Sequence, residues 1–330
     1  RAEYTTDYQT YSMSPDQDVL NVDLVHTTTS DVKIVKRYQF KRNSYLIDVQ
    51  YLITNNGSAT YSGNFYGRLK QHAIESKGGV MGAARAYRGA AINTEDKPYK
   101  KLPFDDFKSS PFNQSKTGGW MAMVERYFLS AWIPPQTEQN YFATEVSPDK
   151  QHGIYFVGPT VSVSPGQTKT VSSQLYVGPE VADVLKDIAP GLELTVDYGF
   201  FWPISQPIFW VMKQIYNFLG NWGWAIIVTT LLIKLLFYRL SASSYRSMGN
   251  MRKLQPKIEA LKQRFGDDKQ QFGQAMMQLY KKEKINPLGG CLPILIQIPV
   301  FIALYYVLLE SVELRQAPFM FWLHDLSVKD

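Results

Sequence analysis

Lys234 lies inside a stretch of 19 residues, Trp222–Leu240, that carries no other charge before Arg239 near its end. Counted from Leu240, the ammonium sits about 9 Å above the end of such a helix. A cation at mid-membrane costs about 2.5–3.5 kcal/mol on insertion scales, so a residue of this kind faces a bundle interior or a watery cavity and tends to mark function. Thr230, four residues earlier, shares its helical face and extends a polar stripe. Snorkelling to the inner headgroups is the competing reading of Lys234, since its stem nearly reaches them. In the second apolar run, 287–309, Gln297 is the main polar group, flanked by Pro293 and Pro299. In lipid, the carbonyls freed by those prolines need neighbouring helices or water. A third group is cationic: Arg252, Lys253, Lys257, Lys262 and Arg264 fall within 13 residues. They form a docking surface for something acidic, either anionic phospholipid at the inner surface or ribosomal RNA and an emerging polypeptide.

Other chemistries lack their residues. The one cysteine, Cys291, excludes an intramolecular disulfide and any CxxC site. His26, His72, His152 and His324 are scattered, with no zinc-ligand spacing and no nucleophile beside them, so no metal, cofactor or catalytic residue is expected.

The elements that must hold these groups divide along the chain. Residues 1–199 alternate apolar and polar positions and are rich in Tyr, Thr, Val and Asn, which reads as an antiparallel sandwich. Its strands are expected at Val19–Val25, Val32–Phe40, Tyr45–Ile53, Tyr61–Leu69, Trp120–Trp132, Gly153–Val163 and Thr168–Val177. Turn signals at Asn55-Asn56-Gly57 and Pro165-Gly166 separate some of them. Lys70–Lys116 reads as a long loop, and Val181, Val184, Leu185 and Ile188 as a short amphipathic helix leaving the sandwich. From Phe200 aromatic residues crowd as at a membrane interface, and residues 200–221 are expected as an amphipathic helix lying in the interface plane, with packing against the sandwich as the alternative.

Two spans follow, 222–240 and 287–309, joined by 241–286 and trailed by 310–330. The connecting segment Ser241–Pro287 holds ten Lys or Arg against four Asp or Glu. The positive-inside rule sets that connector in the cytoplasm and puts the β domain and the 310–330 loop outside. Met248, Met251, Leu254, Ile258, Leu261 and Phe265 make one apolar stripe, Pro256 is expected to kink its helix, Gly266 to stop it and Asp267 to cap the next. The result is a basic helical hairpin. Arg1 follows no initiator Met and no export signal, so the chain reads as a fragment.

These stretches resemble the YidC/Oxa/Alb family of membrane protein insertases, in its Gram-negative form with a large periplasmic domain. The likeness is carried by Asn286-Pro287-Leu288-Gly289-Gly290-Cys291, Ile296-Gln297-Ile298-Pro299, Ala303-Leu304-Tyr305-Tyr306, Ser311 through Phe319, and Leu323-His324-Asp325-Leu326-Ser327. Leu254-Gln255-Pro256-Lys257-Ile258 and Gly266-Asp267-Asp268-Lys269-Gln270 match the family's cytoplasmic hairpin; Arg88-Gly89-Ala90-Ala91 and Thr195-Val196-Asp197-Tyr198-Gly199 are the nearest signals in the β domain. The resemblance implies a galactose-mutarotase-like supersandwich that is not a sugar enzyme. It makes the spans the second and third of six, in a multi-pass protein of the bacterial inner membrane. It further implies a hydrophilic groove open to the cytoplasm and to lipid, with Lys234 at the position of its cation and Thr230 and Gln297 nearby. Nascent membrane proteins, the Sec translocon, the ribosome and anionic phospholipid are the implied partners. The family pattern has Arg where this chain has Lys234, and Pro where it has Arg239, so the charge is kept while the planar bidentate fork is lost. An ion channel or transporter subunit and a membrane-anchored periplasmic carbohydrate-binding protein are the rival readings.

Overall fold

The computed structural model describes residues 2–72, 87–265, 268–283 and 292–328, which divide into two compact units, residues 1–197 and 198–330. In the first, the described residues fold into twelve strands: β1 Val19–Thr27, β2 Val32–Lys41, β3 Leu46–Asn55, β4 Tyr61–His72, β5 Gly89–Ile92, β6 Lys100–Leu102, β7 Asn113–Thr117, β8 Met121–Glu125, β9 Phe128–Ile133, β10 Gln139–Val146, β11 Gln151–Val163 and β12 Thr168–Pro179. They pair antiparallel in two sheets, one ordered β1-β2-β3-β12-β9-β8-β5-β6 and the other β4-β11-β10-β7. Val49, Phe65, Trp132, Phe142, Ile154 and Phe156 are among the buried side chains of the core. A second apolar cluster joins Trp120, Ala131 and Tyr176 to Leu185 and Leu192. Leu185 comes from α2 (Ala182–Ile188), the short amphipathic helix expected after Pro179; α1 is the single turn Asp106–Ser109.

The turn signals have clear causes. Gly166 has φ 75°, and Gln167 N–H donates to the Ser164 carbonyl at 3.0 Å, so Pro165-Gly166 turns the chain as only glycine does without strain. Asn55 is buried, donating to the Ala59 and Val163 carbonyls and accepting from Gly57 N–H.

Two expectations about the sheets are corrected. The run Trp120–Trp132 is not one strand but the β8–β9 hairpin, turning at Tyr127 with φ 74°. Lys70–Lys116 is not a loop throughout, since it contains β5, β6, α1 and most of β7; residues 73–86, with Gly78-Gly79 and Gly82, lie outside the described residues. Every residue of β5 is buried, so the alternation that marks a half-exposed strand is missing there.

The second unit is helical: α3 Trp202–Leu219, α4 Trp222–Leu236, α5 Tyr238–Phe265, α6 Lys269–Lys282 and α7 Leu292–Glu310. Pro203 starts α3, where a missing N–H costs nothing. Gly220 ends it at φ 66°, and Asn221 then caps α4 by accepting from Trp224 N–H. Ile208 and Met212 are buried where α3 packs on α4 and α7. Ser205 on the same face donates to the Ala303 carbonyl of α7 at 3.2 Å. Trp210 and Phe218 stay exposed.

The first expected span is also corrected. α4 stops at Leu236, because the apolar run gives way there to Tyr238, Arg239 and Ser241, and α5 leaves at an angle of 61°. Fifteen residues make about 22 Å, short of a hydrocarbon core of about 30 Å. Among the described residues no single helix is long and apolar enough to cross a membrane, whereas α4 and α5 together are a bent candidate and Ile294–Glu310 a shorter apolar helix.

α5 and α6 pack against each other. α5 runs unbroken past Pro256, and Lys257 of α5 pairs with Glu283 beyond α6. Gly266 and Asp267, assigned as stop and cap, lie outside the described residues; the N-cap is Asp268, whose carboxylate accepts from Gln270 and Gln271 N–H at 2.9 Å each.

Candidate functional site

Lys234 occupies the last turn of α4, where its side chain is exposed and, among the described residues, has no ion pair. The turns around it are apolar and exposed on more than one side of the helix, at Leu231, Leu232, Leu235 and Leu236. One turn back, Thr230 is half-buried and donates its hydroxyl to the Ile226 carbonyl at 2.8 Å, the local bond that lets a hydroxyl sit in an apolar helix. Its neighbour Thr229 is 1% exposed with its hydroxyl unpartnered, a polar atom that the sequence did not single out.

Gln297 lies in α7, half-buried, and donates from Nε2 to Ser241 Oγ of α5 at 3.1 Å. The bond ties the apolar α7 to the first turn of the basic helix, four residues beyond the break at Phe237. Among the bonds described, Gln297 meets Ser241 rather than Lys234 or Thr230. Ser241 is the residue sequence reasoning missed: an ordinary serine at the start of a polar run, made relevant only by packing.

All five hairpin cations, Arg252, Lys253, Lys257, Lys262 and Arg264, are exposed. Lys257 is the one paired with a carboxylate; its partner Glu283 is held below the usual carboxylate range by that bond. Arg264 lies 5.2 Å from the centre of the Phe265 ring. Leu254 is the stripe residue that is fully buried, whereas Met248 is exposed.

The histidines of the β unit do structural work. His152 stacks on Phe104 at 4.8 Å and meets Phe107 edge-on at 5.4 Å; burial, with Lys108 nearby, holds its pKa below the ordinary value. His26 bonds the Glu3 carbonyl and His72 bonds Gln151. Clefts open in this unit, and two of those described exceed a third in volume. One, of about 390 Å³, includes Lys70, Gln71, Glu125 and Phe128; the other, of about 240 Å³, is lined by Tyr4, Tyr51, Tyr61 and Tyr66. Neither brings two carboxylates or a histidine together. Among the described residues no three His, Cys, Asp or Glu side chains converge as metal ligands do.

The chain can be set beside known proteins. Residues 1–211 match the family described as the YidC periplasmic domain, and residues 214–330 the family described as the 60Kd inner membrane protein. A curated relative, the membrane protein insertase YidC of Pseudomonas putida (strain GB-1), is 49% identical over 331 residues, an alignment that takes in 100% of this chain and 59% of the relative. That of Ectopseudomonas mendocina (strain ymp) is 46% identical over 352 residues, covering 100% and 60%. The chain thus spans about three-fifths of the length of these relatives. Structural neighbours of the β unit include a galactose mutarotase related enzyme from Lactobacillus acidophilus, at TM-score 0.34 and 10% identity over 53% of this chain and 71% of that one. A likeness so faint carries no inference about ligand or activity. With a periplasmic domain matched over its β unit and an inner-membrane protein over its helices, the chain belongs to the YidC family of inner membrane proteins.

Proposed function

We propose that the chain works as part of a membrane protein insertase, without a covalent step. In this reading Lys234, Thr230 and Gln297 line a water-filled groove that reaches into the bilayer from the cytoplasmic side. The observation that carries it is Lys234, an exposed cation without an ion pair among the described residues, on the last turn of an apolar helix that ends about 22 Å from its start. An ammonium held there in contact with water attracts an acidic or polar tail and shortens the path over which the cargo's polar groups cross hydrocarbon. The apolar segment of the cargo then moves into lipid, driven by burial at roughly 25 cal/mol per Å². The groove lowers a barrier; the lipid supplies the drive.

The clients in this reading are newly made inner-membrane proteins, taken alone or from the Sec translocon. The exposed hairpin cations Arg252, Lys253, Lys262 and Arg264 favour a docking role toward anionic phospholipid, each adding about 1 kcal/mol near such a surface; a ribosome is the second acidic partner they suit. The experiment is insertion of a single-span client with an acidic tail into vesicles bearing the whole protein. Lys234→Leu is expected to block insertion, and Lys234→Arg to keep it, because the charge alone is required. Undiminished insertion by the leucine variant removes Lys234 from the mechanism.

A further inference from the structure

Beyond α7 the chain folds back and closes a tight turn, Phe319–Leu323. Phe319 N–H donates to the Leu323 carbonyl at 2.9 Å and Leu323 N–H to the Met320 carbonyl at 3.1 Å. Phe321 is held at φ 56°, a region disfavoured for a bulky L residue. At the tip Phe321 is 83% and Trp322 71% exposed, their rings 5.8 Å apart. The base of the turn is fastened to the first turn of α4. Asn221, the α4 cap, donates Nδ2–H to the Pro318 carbonyl at 3.2 Å. The Phe319 ring meets Trp224 edge-on at 5.6 Å and lies so close over Gly223 that a Cβ there would strike it.

A strained turn that leaves two large aromatic side chains mostly exposed gains nothing from them in water. Its position supplies a reason. It is fixed to the point where an apolar helix of an inner-membrane protein begins, the level at which tryptophan favours the bilayer interface, ring toward the chains and N–H toward the headgroups. Trp224, whose ring packs against Phe319, is itself 44% exposed in that first turn of α4. We propose that the Phe319–Leu323 turn is a lipid-dipping wedge: Phe321 and Trp322 enter the interfacial layer of the outer leaflet and set the depth of α4. Lys234 lies 12 residues beyond Trp222, about 18 Å along the helix, so the wedge fixes how far below the outer surface the ammonium sits. The inference rests on the reading that α4 enters the membrane.

The test uses the whole protein in lipid nanodiscs, cysteine-free apart from one spin-labelled site, with collisions against oxygen and a water-soluble nickel chelate as the readout. Phe321→Cys and Trp322→Cys are compared with Ile227→Cys in the middle of α4 and Tyr8→Cys in the β unit. Oxygen collisions exceeding nickel collisions at 321 and 322, as at 227 but at shallower depth, are expected. Nickel access at 321 and 322 like that at Tyr8, with Ile227 still excluding nickel, overturns the wedge and leaves the membrane reading of α4 standing. Exclusion of both reagents at the tip shows it covered by protein and overturns the wedge as well. Nickel access at Ile227 overturns both readings together. As a check without labels, Trp322→Tyr in vesicles of brominated phosphatidylcholine is expected to remove a quenched part of the tryptophan emission; an unchanged quenched fraction contradicts the wedge.

Discussion

At the scale of single residues, the polar groups of the helical unit separate into those that serve themselves and those that need a partner. Thr230 is satisfied within its own helix, whereas Gln297 depends on Ser241, 56 residues away in sequence. Ser241→Ala is therefore expected to strand a half-buried amide and to cost about 1 kcal/mol, measured as a lower midpoint of thermal unfolding in detergent. Gln297→Leu added to Ser241→Ala is expected to recover most of that loss, since neither partner is then left unpaired in apolar surroundings. Failure of the pair to recover means that the bond is not what holds α5 to α7. Thr230 and Lys234 were legible because a spacing of four on a helix is a local fact. Ser241 was not: a serine in a polar run carries no sign of what will pack against it. The substitution of Lys for the expected Arg at 234 leaves a compact, strongly hydrated charge that suits attraction of a carboxylate rather than bidentate clamping.

Among the elements, strands and helices with one exposed face announced themselves, and those without did not. β4 alternates exposed with covered residues and was read directly. β5 is buried throughout, and the alternation of β7 is among polar residues, Asn113–Thr117. The end of α4 was placed four residues late, because an apolar pattern that fades over Tyr238–Leu240 does not say where the axis turns. Close packing in the sandwich leaves no space at Gly67, where a Cβ would meet the Phe156 and Trp132 rings. Gly67→Ala is expected to destabilise the β unit by about 1–3 kcal/mol, as overpacking does, read from the denaturant midpoint; an unchanged midpoint means the core is looser there than the contacts imply. On β1 and β2, Asp23 stands directly opposite Arg37, with two hydrogen bonds of 2.7 Å between them. The Arg37 bonds hold the Asp23 carboxyl below its ordinary value of 3.8, against a smaller opposing push from burial. A depressed folded-state value contributes stability above the unfolded pKa, and that contribution fades as pH falls through the folded one. Asp23→Asn is accordingly expected to be less stable than the unaltered protein at pH 7 and to converge with it below about pH 3.8. A constant difference between the two from pH 7 to pH 3 contradicts the pairing.

For the molecule as a whole, the decisive feature is how charge is distributed. The chain carries a formal +6, and the segment Ser241–Pro287 alone holds ten basic against four acidic residues, the asymmetry from which a cytoplasmic place is expected for the hairpin. The division into β and helical parts near residue 199 was legible in the sequence; the compact units meet at residues 197 and 198. What sequence could not supply was the shortness of α4. A helix of about 22 Å followed by a 61° turn sets Lys234 three residues before the break at Phe237. The most direct test of the central claim is the access of cytoplasmic water to that position. The whole protein, carrying Lys234→Cys as its one cysteine, is treated with a membrane-impermeant maleimide from the cytoplasmic face of inverted vesicles and, separately, from the outer face of spheroplasts. Rapid modification from the cytoplasmic face and none from the outer face is the expected result. A thiol at 234 that reacts from neither side, while Lys234 itself still supports normal insertion in the parallel assay, contradicts the account.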